Sequence, residues 1–437
     1  MPKHPRIFAA QLGCAKNQVD AEHLLAELYS AGFISAKSAD KADYLLINTC
    51  GFIEAAKEES IDIILSYIKI KKPNQKLIVS GCLSERYMKD LPKEMPEVDF
   101  WLGTYKKNKI LEVIGYDGRA SGKEELPRLN LGEYPHHAYL KIAEGCNRRC
   151  AFCAIPNIRG KQESSSIKDI VKEAKELEKQ GVKELTLIAQ DTTYFGREKG
   201  KKGGTLTELL KALLKETEIP WIRMLYWYPE FIDDELLELM GKEPRLCKYI
   251  DMPIQHASDK VLKLMRRHYD KTSLKGILKS IREKVPGVTL RTTVLVGFPG
   301  ETQEDFDQLM ELIQETRFEH LGGFVFSPEE NTPAMKLKEL PVSEEEARAR
   351  LDAINDVQEE IAEEANEAII GKEVKVIIDG VAEESDYHFI GRTEGNALDT
   401  DDIVKIVEGN ATPGEFYKVQ VVDSTPHELI AKIIGKI

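Results

Sequence analysis

The chain has 437 residues, 42% of them hydrophobic and 31% charged, which is the make-up of an ordinary globular protein large enough for two or three domains. No run approaches the roughly 20 apolar residues that cross a bilayer, and MPKHPRIFAAQLGCAKN lacks the apolar core of a signal peptide, so we expect a cytoplasmic monomer free of membranes. A net charge of −13 argues against general RNA binding and for a basic partner, and seven cysteines without an export signal point to thiolates used as ligands in a reducing cytosol.

Residues 1 to about 118 alternate strand and helix. RIFAA (6–10), DYLLIN (43–48) and KLIVSG (76–81) read as strands. Asp20 to Ser30, with Leu24, Leu25 and Leu28 on one face, and Glu54 to Ile70 read as helices. The pattern predicts an α/β domain built on a parallel sheet. The polar stretch YDGRASGKEELPRLNLGEYP then reads as a linker.

From about 132 to 365 strand and helix alternate six times. The predicted strands are 138–142, 184–189, 221–226, 248–253, 288–296 and 320–326. Six units are too few for a closed eight-stranded barrel. The segment from Val342 to Ile370 predicts a long charged helix that packs across these units through Leu351, Ile354, Val357 and Ile361. Residues 370–437 change texture: EVKVIIDG, DIVKIVEG, FYKVQVVDS and ELIAKIIG predict a small antiparallel β-barrel of OB type.

The string GCNRRCAFCAIPNIRG carries Cys146, Cys150 and Cys153 at C-x3-C-x2-C spacing. Three close thiolates can hold three irons of a cubane cluster, and because 4Fe–4S clusters normally take four cysteines, one iron stays open. Zinc is the alternative, but it favours four ligands and no fourth Cys or His lies nearby. A second trio is scattered. Cys14, Cys50 and Cys82 each follow a predicted strand of the first domain, so in a parallel sheet they converge on one rim. Gly13, Gly51 and Gly81 beside them allow close backbone approach. The alternative is three unrelated buried cysteines.

The string around Cys146, with Phe152 before the third Cys, resembles the radical S-adenosylmethionine (SAM) signature. A three-Cys first domain, that motif and a C-terminal TRAM barrel together resemble the methylthiotransferase family over essentially the whole chain. The resemblance implies an open (β/α)6 barrel flanked by the two other domains. It implies two 4Fe–4S clusters, on Cys146, Cys150 and Cys153 and, as an auxiliary cluster, on Cys14, Cys50 and Cys82. It also implies SAM as cofactor, an electron donor and a sulfur source. In the family, SAM chelates the open iron of the first cluster, its reductive cleavage yields a 5′-deoxyadenosyl radical, and sulfur is inserted at an unactivated C–H bond. One bacterial branch modifies an adenosine derivative beside the tRNA anticodon; the other modifies the β-carbon of an aspartate in the twelfth protein of the small ribosomal subunit.

LGCAKNQVDAEHL, Arg149 and the IP-x-x-RG ending of the cluster loop, Gln255-His256 in DMPIQHASDK, and SPEENTPA all resemble the ribosomal-protein branch, with Ala15 and Asn331 as small departures. Charge argues the same way. Residues 370–437 hold seven Lys and Arg against thirteen Asp and Glu, and the run Asp399, Asp401, Asp402 is expected to repel tRNA and suit a basic ribosomal protein, unless those acids only form a solvated face.

The resemblance places SAM contacts at Gln190 and Asp191, which end the second barrel strand; a helix N-cap is the alternative for them. Gly297 and Gly300 in VGFPGET suit a backbone passing close to adenosine. Arg291 could pair with a SAM carboxylate or form a structural salt bridge. Gln255 and His256 are candidates to face substrate. Cys247 is expected to be simply buried, and Trp227 and Tyr228 either wall the cavity or pack the core. No further catalytic residue is assigned.

Overall fold

The computed structural model of the chain describes residues 4–106, 109–116 and 127–437. Most of the first domain is one parallel sheet of β1 (Arg6–Gln11), β2 (Ile34–Ser35), β3 (Tyr44–Thr49), β4 (Lys76–Gly81) and β5 (Phe100–Trp101), in the order β2-β1-β3-β4-β5. The central strand β3 is buried along its whole length, which is why Tyr44–Ile47 run apolar without alternation before the buried polar Asn48 and Thr49. Helix α1 (Ala15–Ser30) packs Leu24, Leu25 and Leu28 against Leu46 and Ile78 on one face. Helix α2 (Glu54–Ile70) puts Ile64 against Ile47, Leu77 and Val79 on the other. Helix α3 (Cys82–Arg86) follows β4 directly.

α1 begins five residues before the sequence pattern suggests. Its first turns bury polar groups, Asn17, Asp20 and Glu22, so no apolar stripe marks them. Residues 117–126 of the expected linker lie outside the described residues. Just beyond them Arg128 is buried, with its guanidinium on Glu22 and Glu173.

The central region starts with β6 (His137–Lys141). A two-stranded excursion, β7 (Ala143–Glu144) with β8 (Glu163–Ser164), frames the cysteine loop. The strands β9 (Glu184–Ile188), β10 (Trp221–Met224), β11 (Tyr249–Asp251), β12 (Thr289–Val296) and β13 (His320–Val325) complete six parallel strands in two groups, β6-β9-β10 and β11-β12-β13. A parallel bridge between Ile222 and Leu246 links the groups. The long helix, Glu344–Glu367, lays Leu351, Ile354, Val357 and Ile361 on the barrel core.

The last region is a closed barrel of β14 (Glu373–Val381), β15 (Phe389–Thr393), β16 (Ile403–Glu408), β17 (Phe416–Thr425) and β18 (Glu428–Lys436), in the order β14-β15-β16-β18-β17. It is antiparallel except for the pair β16–β18, which is parallel. β15 escapes the sequence pattern because its Arg392 is polar yet buried, held by Glu184 of the central barrel and by Asp379.

The acidic run is not wholly a free surface. The buried carboxylate of Asp401 takes hydrogen bonds from Arg291, Tyr249 Oη and the Ala397 amide, and Asp399 accepts from Tyr139 Oη. Asp401 therefore joins the small barrel to the central one, whereas Asp399 stays exposed beside the Tyr139 hydroxyl. SPEENTPA is likewise structural: Glu329 is buried between Lys57 and Arg86 of the first domain.

Candidate functional site

Each cysteine of the scattered trio begins where a central strand of the first sheet ends. Cys14 is the N-cap of α1, Cys50 follows β3, and Cys82 opens α3. Asn17 ties the strand ends together. Its amide donates to the carbonyls of Leu12 and Thr49, and its Oδ1 accepts from Arg159. Close packing requires the glycines: a Cβ on Gly13 would lie 2.8 Å from Cys50 Cβ, and one on Gly51 2.6 Å from Leu83 Cα. Gly81 adopts φ +100°, open to glycine at little cost.

The second trio sits on the loop between β7 and β8. That loop is pinned by Cys146 N to Gly160 O (3.1 Å), Ala151 N to Met265 O (2.9 Å) and Ala334 N to Ala151 O (2.8 Å). Arg148 clamps it to the barrel rim through Asp191 (2.7 Å), with its guanidinium 3.8 Å above the Tyr228 ring.

The two trios share a wall. Cys82 packs against Ala154 and Ile158, the residues just beyond Cys153. Arg159, one residue further on, donates to Cys82 Sγ at 3.2 Å and to Asp20 and Glu144. On the other side Arg267 donates to Cys150 Sγ at 3.3 Å. All six cysteines are free thiols. Burial pushes Cys82 and Cys153 up to about 12 and Cys146 to about 11. Burial opposes ionisation of Cys14 too, but Lys16, the Asn17 amide and Arg159 outweigh it and lower that thiol. Two gathered sets of three thiols, with an arginine donor on Cys82 and another on Cys150, offer the donor chemistry of an iron–sulfur cluster. Among the described residues no three His, Cys, Asp or Glu side chains converge on a single metal ion.

Residues 140–313 match the Radical SAM superfamily, residues 370–434 the TRAM domain, and residues 6–103 a family described only as Uncharacterized protein family UPF0004. The chain is 43% identical over 436 residues to the ribosomal protein uS12 methylthiotransferase RimO of Cytophaga hutchinsonii, covering 98% of each chain. It is 42% identical over 444 residues to that of Clostridioides difficile, covering 98% of this chain and 99% of the relative, and 41% identical over 444 residues to that of an Anaeromyxobacter species, covering 99% and 93%. The chain belongs to the RimO family of methylthiotransferases. A solved radical S-adenosylmethionine methyltransferase, TsrM from Kitasatospora setae, shares the fold at 12% identity, with a TM-score of 0.56 over 76% of this chain and 74% of that one.

A RimO-family protein with a Radical SAM match carries SAM and a 4Fe–4S cluster, and the residues here fit both. The Cys146 loop supplies three thiols. Beside it Gln190 donates to Glu144 and leaves its Oε1 buried without a partner, an acceptor unspent by the protein. Asp191 is already committed: it caps the short helix Thr192–Tyr194 and holds Arg148. Arg291 forms salt bridges with Asp251 and Asp401. Gly297 and Gly300 take left-handed φ of +76° and +87° after β12, facing Ala347 and Glu339. Gln255 also has positive φ, +67°, where its backbone joins the edge of β12 through Thr293 and Leu295. His256 is wholly buried, its Nδ1 accepting from the Ser258 amide and its Nε2 3.9 Å from Glu301. Trp227 is core, Tyr228 is gripped between Arg148 and Arg267, and Cys247 is fully buried, its thiol pushed to about 12 by that burial.

Asn17, Lys16, Arg159 and Arg267 carry no site role in the sequence alone. The signal for the first two was present in polar residues directly after Cys14, where an amphipathic helix would ordinarily be solvated.

Proposed function

We propose that the chain is a radical SAM methylthiotransferase that adds a methylthio group to the β-carbon of an aspartate in the twelfth protein of the small ribosomal subunit, uS12. The observation that carries this is near full-length kinship at 41–43% identity with uS12 methylthiotransferases. The shared wall between the trios supports it, because sulfur insertion needs two centres facing one substrate.

Cys146, Cys150 and Cys153 hold the cluster that binds SAM, and Cys14, Cys50 and Cys82 hold a second, auxiliary 4Fe–4S cluster. When bound, these groups supply the 5′-deoxyadenosyl radical and the sulfur to be transferred. The protein's own residues position and protect. Gln190 offers SAM its free acceptor, and Arg148 fixes the cysteine loop to Tyr228 and Asp191. Arg159 and Asn17 lock the auxiliary trio against that loop. Glu329 with Lys57 and Arg86 closes the first domain onto the barrel, which limits access of water and oxygen. An electron donor and a sulfur source complete the reaction.

The test is an anaerobic assay of the reconstituted protein with SAM, reductant and sulfide, offering uS12 and unmodified tRNA. A methylthio mass gain on an aspartate of uS12 is expected; a gain on the tRNA alone would overturn the substrate assignment.

A further inference from the structure

Lys16, two residues after Cys14 in the first turn of α1, is 9% exposed. Its ammonium lies 3.3 Å from the centroid of the Tyr226 ring and makes no hydrogen bond or ion pair to any described residue. Among the described residues the other buried lysines are neutralised, Lys57 by Glu54 and Glu329 and Lys405 by Glu384 and Glu428, as is the half-buried Lys141 by Asp20 and Glu144. Asp20, the natural i,i+4 partner of Lys16, is spent on Lys141 and Arg159. Its positive charge favours ionisation of Cys14, but no carboxylate among the described residues pairs with it, and a ring face compensates a poorly hydrated ammonium only in part.

The ring is held there deliberately. Tyr226 follows β10 on the barrel rim with φ +62°, the left-handed region that a tyrosine rarely adopts. Its amide donates to Asp251 Oδ2 (2.9 Å) and its carbonyl accepts from Thr192 N (3.0 Å), which fix that conformation from both sides. Lys16 thus spans from the auxiliary trio to the rim of the SAM barrel. Cys14 beside it is exposed.

We propose that Lys16 is the specificity-determining residue for the target aspartate: its ammonium, backed by the Tyr226 ring, pairs with the aspartate carboxylate and presents the adjacent β-carbon between the two cysteine trios. This rests on the uS12 reading above. Anchoring the carboxylate fixes the β-carbon one bond from the anchor, which accounts for selection of that carbon and of aspartate over asparagine.

The test compares two uS12-derived peptides, one with the target aspartate and one with asparagine in its place, binding anaerobically to the reconstituted full-length protein. The native protein is expected to prefer the aspartate peptide by about tenfold or more, the worth of a charge-assisted contact. Lys16→Met should erase the preference, and Lys16→Arg should keep most of it, with iron content equal in all three. An undiminished preference in Lys16→Met would overturn the proposal. So would loss of iron in Lys16→Met with retention in Lys16→Arg, since Lys16 would then serve the auxiliary cluster. If the native protein binds neither peptide and modifies tRNA, the uS12 reading itself fails, a result distinct from either.

Discussion

Cys146, Cys150 and Cys153 lie within eight residues of one loop, whereas Cys14, Cys50 and Cys82 come from three strand ends spread over the first 82 residues. The loop trio is set by local chain geometry and by backbone pins to Met265 and Ala334. The scattered trio exists only once the parallel sheet has formed, and its approach depends on Gly13, Gly51, Gly81 and Asn17. Each trio nevertheless has one sulfur facing an arginine, Arg267 on Cys150 and Arg159 on Cys82. The difference lies in how those arginines are balanced. Arg159 sits in a carboxylate network with Asp20 and Glu144, while Arg267 bonds Tyr269 Oη and the Pro253 carbonyl and stacks near Tyr228. One centre is thus embedded in buried ion pairs that cross a domain boundary, the other in neutral acceptors within a single barrel.

The largest effect should come from the loop trio. Cys150→Ala is expected to abolish reductive SAM cleavage; 5′-deoxyadenosine still forming at the native rate, followed by chromatography, would break the division of labour between the trios. Replacing Cys14, Cys50 and Cys82 together by Ala should remove about half the iron yet leave 5′-deoxyadenosine formation, while methylthio transfer stops. Iron content unchanged by the triple substitution would mean that the scattered trio holds no cluster.

A finer effect separates the two arginines. Arg267→Lys and Arg159→Lys keep the charge but lose the planar fork that reaches the sulfur. A hydrogen bond to a thiolate stabilises a reduced cluster, so where each trio holds the cluster proposed for it, each variant should lower the midpoint potential of that cluster and leave the other unmoved. Potentiometric titration followed by electron paramagnetic resonance reads both. Equal shifts of both clusters in either variant would show that the shared wall couples them electrostatically.

Much of this was legible in the chain. The C-x3-C-x2-C spacing is local, and strand-end placement predicted the second rim because a parallel sheet gathers its strand ends whatever the loops between them. The six βα units and the closing barrel were visible in apolar periodicity. What sequence could not supply were pairings between distant buried charges. The sequence leaves Arg291 open between a SAM contact and a structural salt bridge, and only the fold brings Asp251 and Asp401 against it; it likewise cannot show that Asp401, unlike the exposed Asp399, is taken up by Tyr249 and Arg291. β15 and the first turns of α1 were lost for the same reason: Arg392, Asn17 and Asp20 are polar residues facing inward, and periodicity counts polar residues as outward.

The carboxylate network around Arg159 gives the last contrast a pH signature. Burial works against ionisation of Glu144, but Lys141 and Arg159 outweigh it and hold the carboxyl down to about 2. A carboxylate with a depressed folded pKa contributes stability that is complete above its unfolded value near 4.5 and is lost as pH falls toward the folded one. In the apoprotein, Glu144 should therefore withdraw about 2 kcal/mol of unfolding free energy between pH 5 and pH 3. Urea unfolding at several pH values should show Glu144→Gln with lower stability at pH 7 and a shallower decline into acid. Among the described residues Arg267 has no carboxylate partner, so Arg267→Lys should leave the acid slope of the native chain unchanged. An equal flattening in both variants would place the acid-sensitive charge elsewhere and remove the distinction between an ion-paired and a neutral cradle.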